Sequence, residues 1–289
     1  MPFDLIVNVA AGGVLTGLVY GLLALGLSVI YGVVRIVNFA HGEMMTIAMY
    51  GAVLCFTRFG LDPLLMIVPV GAGLFLLGYA IQSAIINPFI NRPEHAQFML
   101  LLGVAIIITN ALLIGFGPDA RNAPVSYGMD SFAFGAVLID KVRVYAAAGA
   151  LVVAALLFAF FRYTHTGKAI RACADNYLGA RVVGLNVKHL YALTFGIGAA
   201  CVGAAGCMLV LLLDVTPSLG PSYTLLAFVI VIVGGLGSMV GALLGGVLIG
   251  LSEALAGLMF APSAKSMFSF ANLIVLLLFR PQGLLGRRA

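Results

Sequence analysis

Two places in this sequence carry ionisable side chains inside long apolar stretches. The first is the run NFAHGE at residues 38–43, in which His41 and Glu43 lie close together. The second is Glu253, the only acid deep inside a late apolar stretch. A histidine and a carboxylate are common metal ligands. A metal site needs more protein ligands than two, however, so His41 and Glu43 alone do not predict one.

The NFAHGE run has a functional and a structural interpretation, and the sequence leaves both open. In the first, His41 and Glu43 are polar lining or hinge residues at a helix break, which also includes Asn38 and Gly42. In the second, Asn38 and His41 satisfy backbone groups that the break frees, and Glu43 is stabilised at the next helix N-terminus. Glu253 either lines a path or contacts another subunit, or it pairs with a polar group of a neighbouring helix.

Motifs of catalysis and nucleotide binding are absent from the sequence. It contains no G-x-x-x-x-G-K-[ST] phosphate loop and no G-x-S-x-G nucleophile turn. The cysteines have no metal-ligand spacing, and we interpret them as small packing residues. We therefore predict a non-catalytic chain that binds no cofactor and no metal, so that any ATP must be bound by another chain.

The composition predicts the class of fold that positions His41, Glu43 and Glu253. The chain has 289 residues, of which 63% are hydrophobic and 9% charged, and its mean hydropathy is +1.16. Soluble domains are roughly half apolar and a quarter charged. The charged residues of this chain are too few to cover a water-soluble surface. We predict one all-α transmembrane domain over 1–289. The net charge of +5 is explained by basic loops in the cytoplasm rather than by nucleic-acid binding.

A membrane-spanning helix needs about 20 mainly apolar residues. The stretches that fit this requirement are 7–29, 42–58, 63–87, 97–116, 143–161, 190–213 and 239–260, with weaker candidates at 223–235 and 265–280. The candidate at 223–235 ends in Gly234 and Gly235, with Gly237 close behind, so it is either a span or a re-entrant half-helix. The sequence thus predicts a polytopic bundle of eight or nine spans.

Lysine and arginine predict the orientation of the bundle. Basic residues concentrate at 162–190 and in the tail, at Arg280, Arg287 and Arg288, and such segments usually face the cytoplasm. Nine crossings with an external N-terminus meet this condition and place the C-terminus in the cytoplasm. The loops 117–142 and 214–222 are then external.

Residues 164–190 form a polar island between two apolar stretches. Their helical periodicity predicts one or two short amphipathic helices. Asp175 and Asn176 can cap the second, over 177–183, and Gly184 suits a helix end with a left-handed residue. This segment is either a docking surface for a cytoplasmic partner or a solvated loop with a helix on anionic lipid.

Four stretches together resemble branched-chain amino acid ABC transporter permeases, a type II-like importer class related to sugar and vitamin B12 permeases. They are GLLALGLSVIYGVVRIVNFAHGEMMTIAMYGA at 21–52, GKAIRACADNYLGARVVGLNVKHLYALTFGIGAACVGAAG at 167–206, GGLGSMVGALLGGVLIG at 234–250 and LFRPQGLLGR at 278–287. They follow one another in the family's order and cover essentially the whole chain.

The resemblance implies a complex in a bacterial-type inner (plasma) membrane. Two permease subunits, usually non-identical, form the path; two cytoplasmic ATPases bind ATP and Mg; and an extracytoplasmic binding protein delivers the substrate. The residues that match the family's ATPase-coupling loop are Ala174, Asp175, Ala180, Arg181, Gly184 and Leu185. The sequence departs from the family at Gly179, where alanine is usual, and in lacking a second acid after Asp175.

The resemblance implies import of branched-chain amino acids or similar small amphipathic solutes. Relatives with similar motifs carry urea, short amides or aromatic acids, and the permease sequence does not separate these substrates. The alternative hypothesis is a stand-alone secondary transporter or channel, for which Glu253 would supply an ion or proton site.

Overall fold

The computed structural model describes residues 3–90, 92–134, 137–260 and 265–286, which form a helical bundle with one short β-hairpin. The elements are α1 (Phe3–Val34), α2 (His41–Phe59), α3 (Ile67–Ala80), α4 (Glu94–Phe116), β1 (Ser131–Phe134), β2 (Val137–Asp140), α5 (Lys141–Tyr163), α6 (His165–Asp175), α7 (Tyr177–Val182), α8 (Val187–Leu209), α9 (Gly220–Gly234), α10 (Met239–Met259) and α11 (Lys265–Phe279). Arg287 and Arg288, used above for orientation, lie outside the described residues.

The helices confirm the predicted polytopic architecture. Seven described stretches are long and apolar enough to cross a membrane: Asp4–Val34, Ile67–Phe89, His95–Phe116, Lys141–Tyr163, Val187–Leu209, Pro217–Gly234 and Met239–Met259. The predicted span at 42–58 corresponds to α2, whose polar first turn lowers its hydropathy. The predicted span at 265–280 corresponds to α11, which has a shorter apolar part, Ser266–Phe279. With these two helices, the described residues roughly fit the predicted eight or nine spans.

Two predicted loops differ from the structure. The segment 214–222 is not an open loop, because Pro217–Leu219 form a 3₁₀ turn that leads into α9. Val215 is 0% exposed, and Gly220 is buried. The predicted span at 223–235 therefore begins too late. The segment 117–142 contains the antiparallel β1–β2 hairpin and ends in the first residues of α5.

Helix α1 lies at the centre of the bundle and α4 at its edge. In the most apolar window of each helix, 78% of the residues are buried in α1 and 17% in α4. A helix that is apolar on all sides is buried by protein or covered by lipid. Leu22, Leu23 and Leu25 of α1 are fully enclosed by protein, whereas Ile107 and Ile114 of α4 are 69% and 87% exposed and suit a lipid-facing surface.

Glycines allow α1 and α10 to pack with their backbones in close contact. A β-carbon on Gly17 would lie 2.7 Å from the carbonyl oxygen of Gly246, and one on Gly21 would lie 3.0 Å from Leu243 Cα. A β-carbon on Gly250 would collide with Gly17 Cα. Small residues at such contacts are typical of helix packing in lipid, and here they hold the late glycine-rich stretch against the central helix.

We expect Gly246→Leu to destabilise the bundle strongly, because its side chain would overlap the backbone of α1 at Gly17 and Gly21. Overpacking of a tight contact costs about 1–3 kcal/mol or more. Gly103→Leu is the matched control, since a β-carbon there meets nothing within 4 Å. Thermal unfolding of both purified variants in detergent measures the difference, and equal melting temperatures would contradict the packing argument.

Candidate functional site

The NFAHGE run lies in the interior of the bundle. Asn38 and His41 are 0% exposed and Glu43 is 3% exposed. Asn38 Oδ1 accepts a hydrogen bond of 3.0 Å from the backbone N–H of Ala40, the contact that the structural interpretation expects. His41 Nε2 lies 2.9 Å from the carbonyl oxygen of Leu23, well inside α1. Helix α2 therefore begins within the bundle and not at its surface.

The first turn of α2 meets the first turn of α9. The backbone N–H of Gly42 donates a hydrogen bond of 2.8 Å to Thr224 Oγ1, and Thr224 Oγ1 lies 3.3 Å from Glu43 Oε2. A β-carbon on Gly42 would collide with the carbonyl oxygen of Gly220, and one on Gly220 would lie 3.0 Å from Glu43 Cδ. We call His41, Gly42, Glu43, Gly220 and Thr224 the helix-start junction.

The helix-start junction concentrates partial positive charge. The first backbone N–H groups of a helix lack partners within that helix, and the N-terminus carries about half a positive charge. Here two such ends converge, and the Glu43 carboxyl group lies between them. Its position agrees with the structural interpretation of Glu43. Among the described residues, no group of three His, Cys, Asp or Glu side chains is placed to hold a metal ion.

The other end of α9 is closed by the C-terminal tail. The helix ends at Gly234, and Gly235 and Gly237 have φ angles of +104° and +78°. The backbone N–H groups of Leu284 and Leu285 donate to the carbonyl oxygens of Val233 and Gly234 at 2.8 and 3.0 Å. The RPQGLLG stretch thus supplies partners for carbonyl groups that a helix end leaves open.

The segment 164–190 forms two capped helices, as its periodicity predicts. Asn176 Oδ1 accepts from Gly179 N–H at 2.8 Å and so caps α7, whereas Asp175 is the last residue of α6. Gly184 has a φ of +85°. Its N–H donates to Arg181 O, and Leu185 N–H donates to Ala180 O at 3.0 Å, which is the Schellman pattern of a helix end.

The α6–α7 pair has an inner face fixed on the bundle and an outer face that is exposed. Ile170, Cys173 and Ala180 are buried, and burial raises the pKa of the Cys173 thiol. On the outer face, Leu178 and Val182 are 68% and 87% exposed. Of the residues that the resemblance singles out, Ala180 is buried, Ala174 and Leu185 are half-buried, and Asp175, Arg181 and Gly184 are exposed.

Glu253 lies apart from the helix-start junction, in a cavity of about 790 Å³ between α1, α9, α10 and α11. Ser269 Oγ of α11 donates a hydrogen bond of 2.6 Å to Glu253 Oε1. The cavity also borders on Tyr223, the neighbour of Thr224. The hydrogen bond to Ser269 agrees with the interpretation of Glu253 as paired with a neighbouring helix, while the cavity keeps the path interpretation open.

Sequence reasoning missed several members of these sites. Thr224 and Gly220 belong to the helix-start junction, but they are far from residues 38–43 in the chain, and no sequence pattern links the two segments. Leu23 contributes only a carbonyl oxygen, which no side-chain pattern reveals. Arg143 lines the cavity of Glu253, and no motif of the sequence marks it.

Two helices that begin inside an apolar bundle, with their N-termini facing each other, are typical of proteins that move solutes across membranes. The fold and the junction together define a polytopic helical transport protein. The family model described as "Branched-chain amino acid transport system / permease component" matches residues 9–277. The chain belongs to this family.

Similar proteins of known description support this assignment. The chain is 32% identical over 289 residues to the high-affinity branched-chain amino acid transport system permease protein BraD of Pseudomonas aeruginosa, covering 95% of this chain and 94% of BraD. It is 32% identical over 290 residues to LivH of Escherichia coli K12, with 95% and 94% covered. It is also 27% identical over 300 residues to LivM of the same strain, covering 93% of this chain and 68% of LivM.

We expect Thr224→Val to lower stability by about 1–3 kcal/mol, because it removes the acceptor for the buried Gly42 N–H without changing the side-chain size much. Thr57→Val serves as the control, since Thr57 Oγ1 bonds only to carbonyl groups of its own helix. The measurement is thermal unfolding in detergent. An unchanged melting temperature for Thr224→Val would show that the junction does not hold α2 against α9.

Proposed function

We propose that this chain is the transmembrane permease subunit of an ATP-driven importer for branched-chain amino acids or similar small amphipathic solutes. The α6–α7 pair transmits the motion of partner ATPases to the bundle, which alternates between two access states. The observation that carries this proposal is the exposed outer face of α6–α7 on a chain of this family. Exposed apolar side chains on a polar segment favour a protein partner over solvent.

The coupling path is short and mechanically direct. Helix α6 follows α5 after a single residue, Thr164, which caps α6 by accepting from Gly167 N–H at 3.0 Å. Helix α7 is followed by α8, whose cap residue Asn186 accepts from His189 N–H. A force on α6–α7 therefore reaches two long helices, and α8 packs against Gly26 of the central helix through Gly198.

The energy source lies outside this chain. Its sequence holds no phosphate loop, so ATP and Mg bind to two cytoplasmic ATPase subunits, and this chain is a non-catalytic subunit without a cofactor of its own. A solute needs a lined passage, which two permease subunits form together. The second subunit is non-identical, because LivM is named as a permease protein of the same kind of transport system as LivH.

The proposed complex fixes the orientation of the chain. The α6–α7 pair faces the cytoplasm with the ATPases. The C-terminal tail lies on the same side, because Leu285 lines one cavity together with Lys168 and Arg171 of α6. The β1–β2 hairpin then lies on the opposite side, where an extracytoplasmic binding protein delivers the substrate. The chain is a multi-pass protein of the bacterial-type inner membrane.

We expect Gly184→Val to uncouple ATP hydrolysis from uptake. The left-handed backbone of Gly184 disfavours a β-branched residue by about 1–2 kcal/mol, which displaces Leu185 and the end of α7. Gly60→Val is the matched control: Gly60 also ends a helix with a positive φ of +66° and has open space around it, but it follows α2 and lies away from α6–α7.

The measurement is ATP hydrolysis and leucine uptake by the complete transporter in proteoliposomes. Gly184→Val should retain hydrolysis and lose at least about tenfold in uptake, while Gly60→Val keeps both. Uptake by Gly184→Val at the wild-type rate would refute the coupling role. Uptake by this chain alone, without ATPases, would instead support the secondary-transporter hypothesis.

A further inference from the structure

The cavity that Leu285 shares with Lys168 and Arg171 lies where α1, α6 and the turn between α9 and α10 meet the C-terminal tail. Its volume is about 830 Å³, in the range of small-molecule sites. Its charged lining consists of three cations and one acid, Arg35, Lys168, Arg171 and Asp175. Among the described residues that line this cavity, positive charge therefore exceeds negative charge. We call it the basic cavity.

Helical spacing brings two of the cations together on α6. Lys168 and Arg171 are three residues apart, so their β-carbons lie about 5–6 Å from each other. Arg35 directly follows α1, and α1 packs against α6. In the part of the chain that the structure describes, none of these three cations forms an ion pair with an acid. Like charges on neighbouring positions destabilise each other, so an anion in the cavity would relieve this repulsion.

Arg35 has an unusual backbone conformation. Its φ angle of +58° is the only positive value for a residue other than glycine in the described ranges. A residue with a β-carbon is strained in this left-handed conformation, and strained residues of this kind cluster at functional sites. The strained turn places a guanidinium group at the end of the α1 face that lines the basic cavity.

The inner part of the basic cavity contains a buried hydroxyl group. Ser28 is 0% exposed and lines the cavity, and its Oγ has no hydrogen-bond partner among the described residues. The buried Thr46 and Thr194, in contrast, donate to carbonyl groups four residues earlier in their own helices, at 2.9 and 2.8 Å. Ser28 lies about two helical turns, or about 10 Å, before Arg35. A ligand that reaches from Arg35 to this depth would accept from Ser28.

The N-terminus of α10 adds partial positive charge to the same cavity. Ser238, which caps α10 by accepting from Gly241 N–H at 3.1 Å, and Met239, its first residue, both line the cavity. The first N–H groups of a helix lack partners within that helix and attract anions, including phosphate. The end of α1 lies close to this turn, because a β-carbon on Gly32 would lie 3.2 Å from Gly237 Cα.

The basic cavity lies at the level of the membrane surface. Phe161 lines it from the last turn of the spanning helix α5. Two residues later, Tyr163 is 71% exposed at the end of that helix, as aromatic residues are at a membrane interface. Val29 and Val33 also line the cavity. It therefore combines groups that attract an anion with an apolar wall, and a phospholipid offers the matching combination of a phosphate and apolar chains.

We propose that the basic cavity binds a phosphate that carries a hydroxylated headgroup, such as glycerol phosphate. Lys168, Arg171 and Arg35 neutralise the phosphate at the mouth, and Ser28 donates to an oxygen of the headgroup inside. Basic pockets between membrane helices bind anionic lipid headgroups in this way, and the apolar wall favours a lipid over a soluble phosphate. The site is separate from the solute path of the proposed function. Its ligand would join α6 to α1 and so stabilise the position of the α6–α7 pair.

The test is binding of dioctanoylphosphatidylglycerol to the purified full chain in detergent, measured by native mass spectrometry. Glycerol 1-phosphate offers the same headgroup without acyl chains, and dioctanoylphosphatidylcholine offers a phosphate without net charge. Lys168→Gln and Arg171→Gln should each weaken binding of phosphatidylglycerol about fivefold, because each basic side chain near an anionic headgroup contributes about this much. Arg35→Asn should do the same, and asparagine tolerates the left-handed backbone at this position.

Two further variants serve as controls. Lys188→Gln removes an exposed base of the same 164–190 segment, in the first turn of α8, which lies outside the lining of the basic cavity. It should leave lipid binding unchanged. Ser28→Ala removes a buried hydroxyl group that has no partner among the described residues. The melting temperature of this variant without ligand should therefore not fall, whereas binding of phosphatidylglycerol should weaken about fivefold.

The outcomes distinguish the two sources of the phosphate. Binding of phosphatidylglycerol with these losses, and much weaker binding of glycerol 1-phosphate, would identify a lipid site. Equal binding of both, with the same losses, would identify a site for a soluble phosphate ester. Equal affinity for the two phospholipids, an equal loss in Lys188→Gln, unchanged binding in the three cation variants or no binding at all would overturn the proposal. A lower melting temperature of Ser28→Ala without ligand would overturn the role of Ser28.

Discussion

The structure depends on satisfying backbone polar groups where helices start and stop inside an apolar bundle. Water is not available there to bond open N–H and C=O groups, and each open group costs several kcal/mol. At the helix-start junction, Thr224 accepts from Gly42 N–H, and glycines let the two first turns approach. At the far end of α9, the tail supplies the missing donors. The ends of α2 and α9 are stable inside the bundle because distant parts of the chain supply these hydrogen-bond partners.

The same constraint explains what the sequence could and could not reveal. Apolar length and composition were sufficient for the bundle, because lipid selects for them directly. Local rules were sufficient for α7, where Asn176 begins the helix and Gly184 ends it. They were not sufficient for the junction, since Thr224 is an ordinary threonine until the fold brings it to Gly42. The start of α9 was misplaced because the 3₁₀ turn Pro217–Leu219 looks like loop sequence.

The α6–α7 pair and the cavity that contains Glu253 lie at opposite ends of α5. One end exposes the outer face of α6–α7, and Arg143 and Glu253 line the cavity at the other. Close glycine contacts join α10 to α1 and also to α9, where a β-carbon on Gly245 would lie 2.7 Å from the carbonyl oxygen of Ile230. Hydrogen bonds to other segments hold α9 at both ends as well, so α1, α9 and α10 pack as one unit.

The bonds between the tail and α9 also have a consequence for biosynthesis. Leu284 and Leu285 are translated after all the helices described here, yet their N–H groups complete the end of α9. A nascent chain released before this point would hold all of these helices but would leave the carbonyl groups of Val233 and Gly234 without these partners. The end of α9 is therefore completed only after every one of these helices has been made.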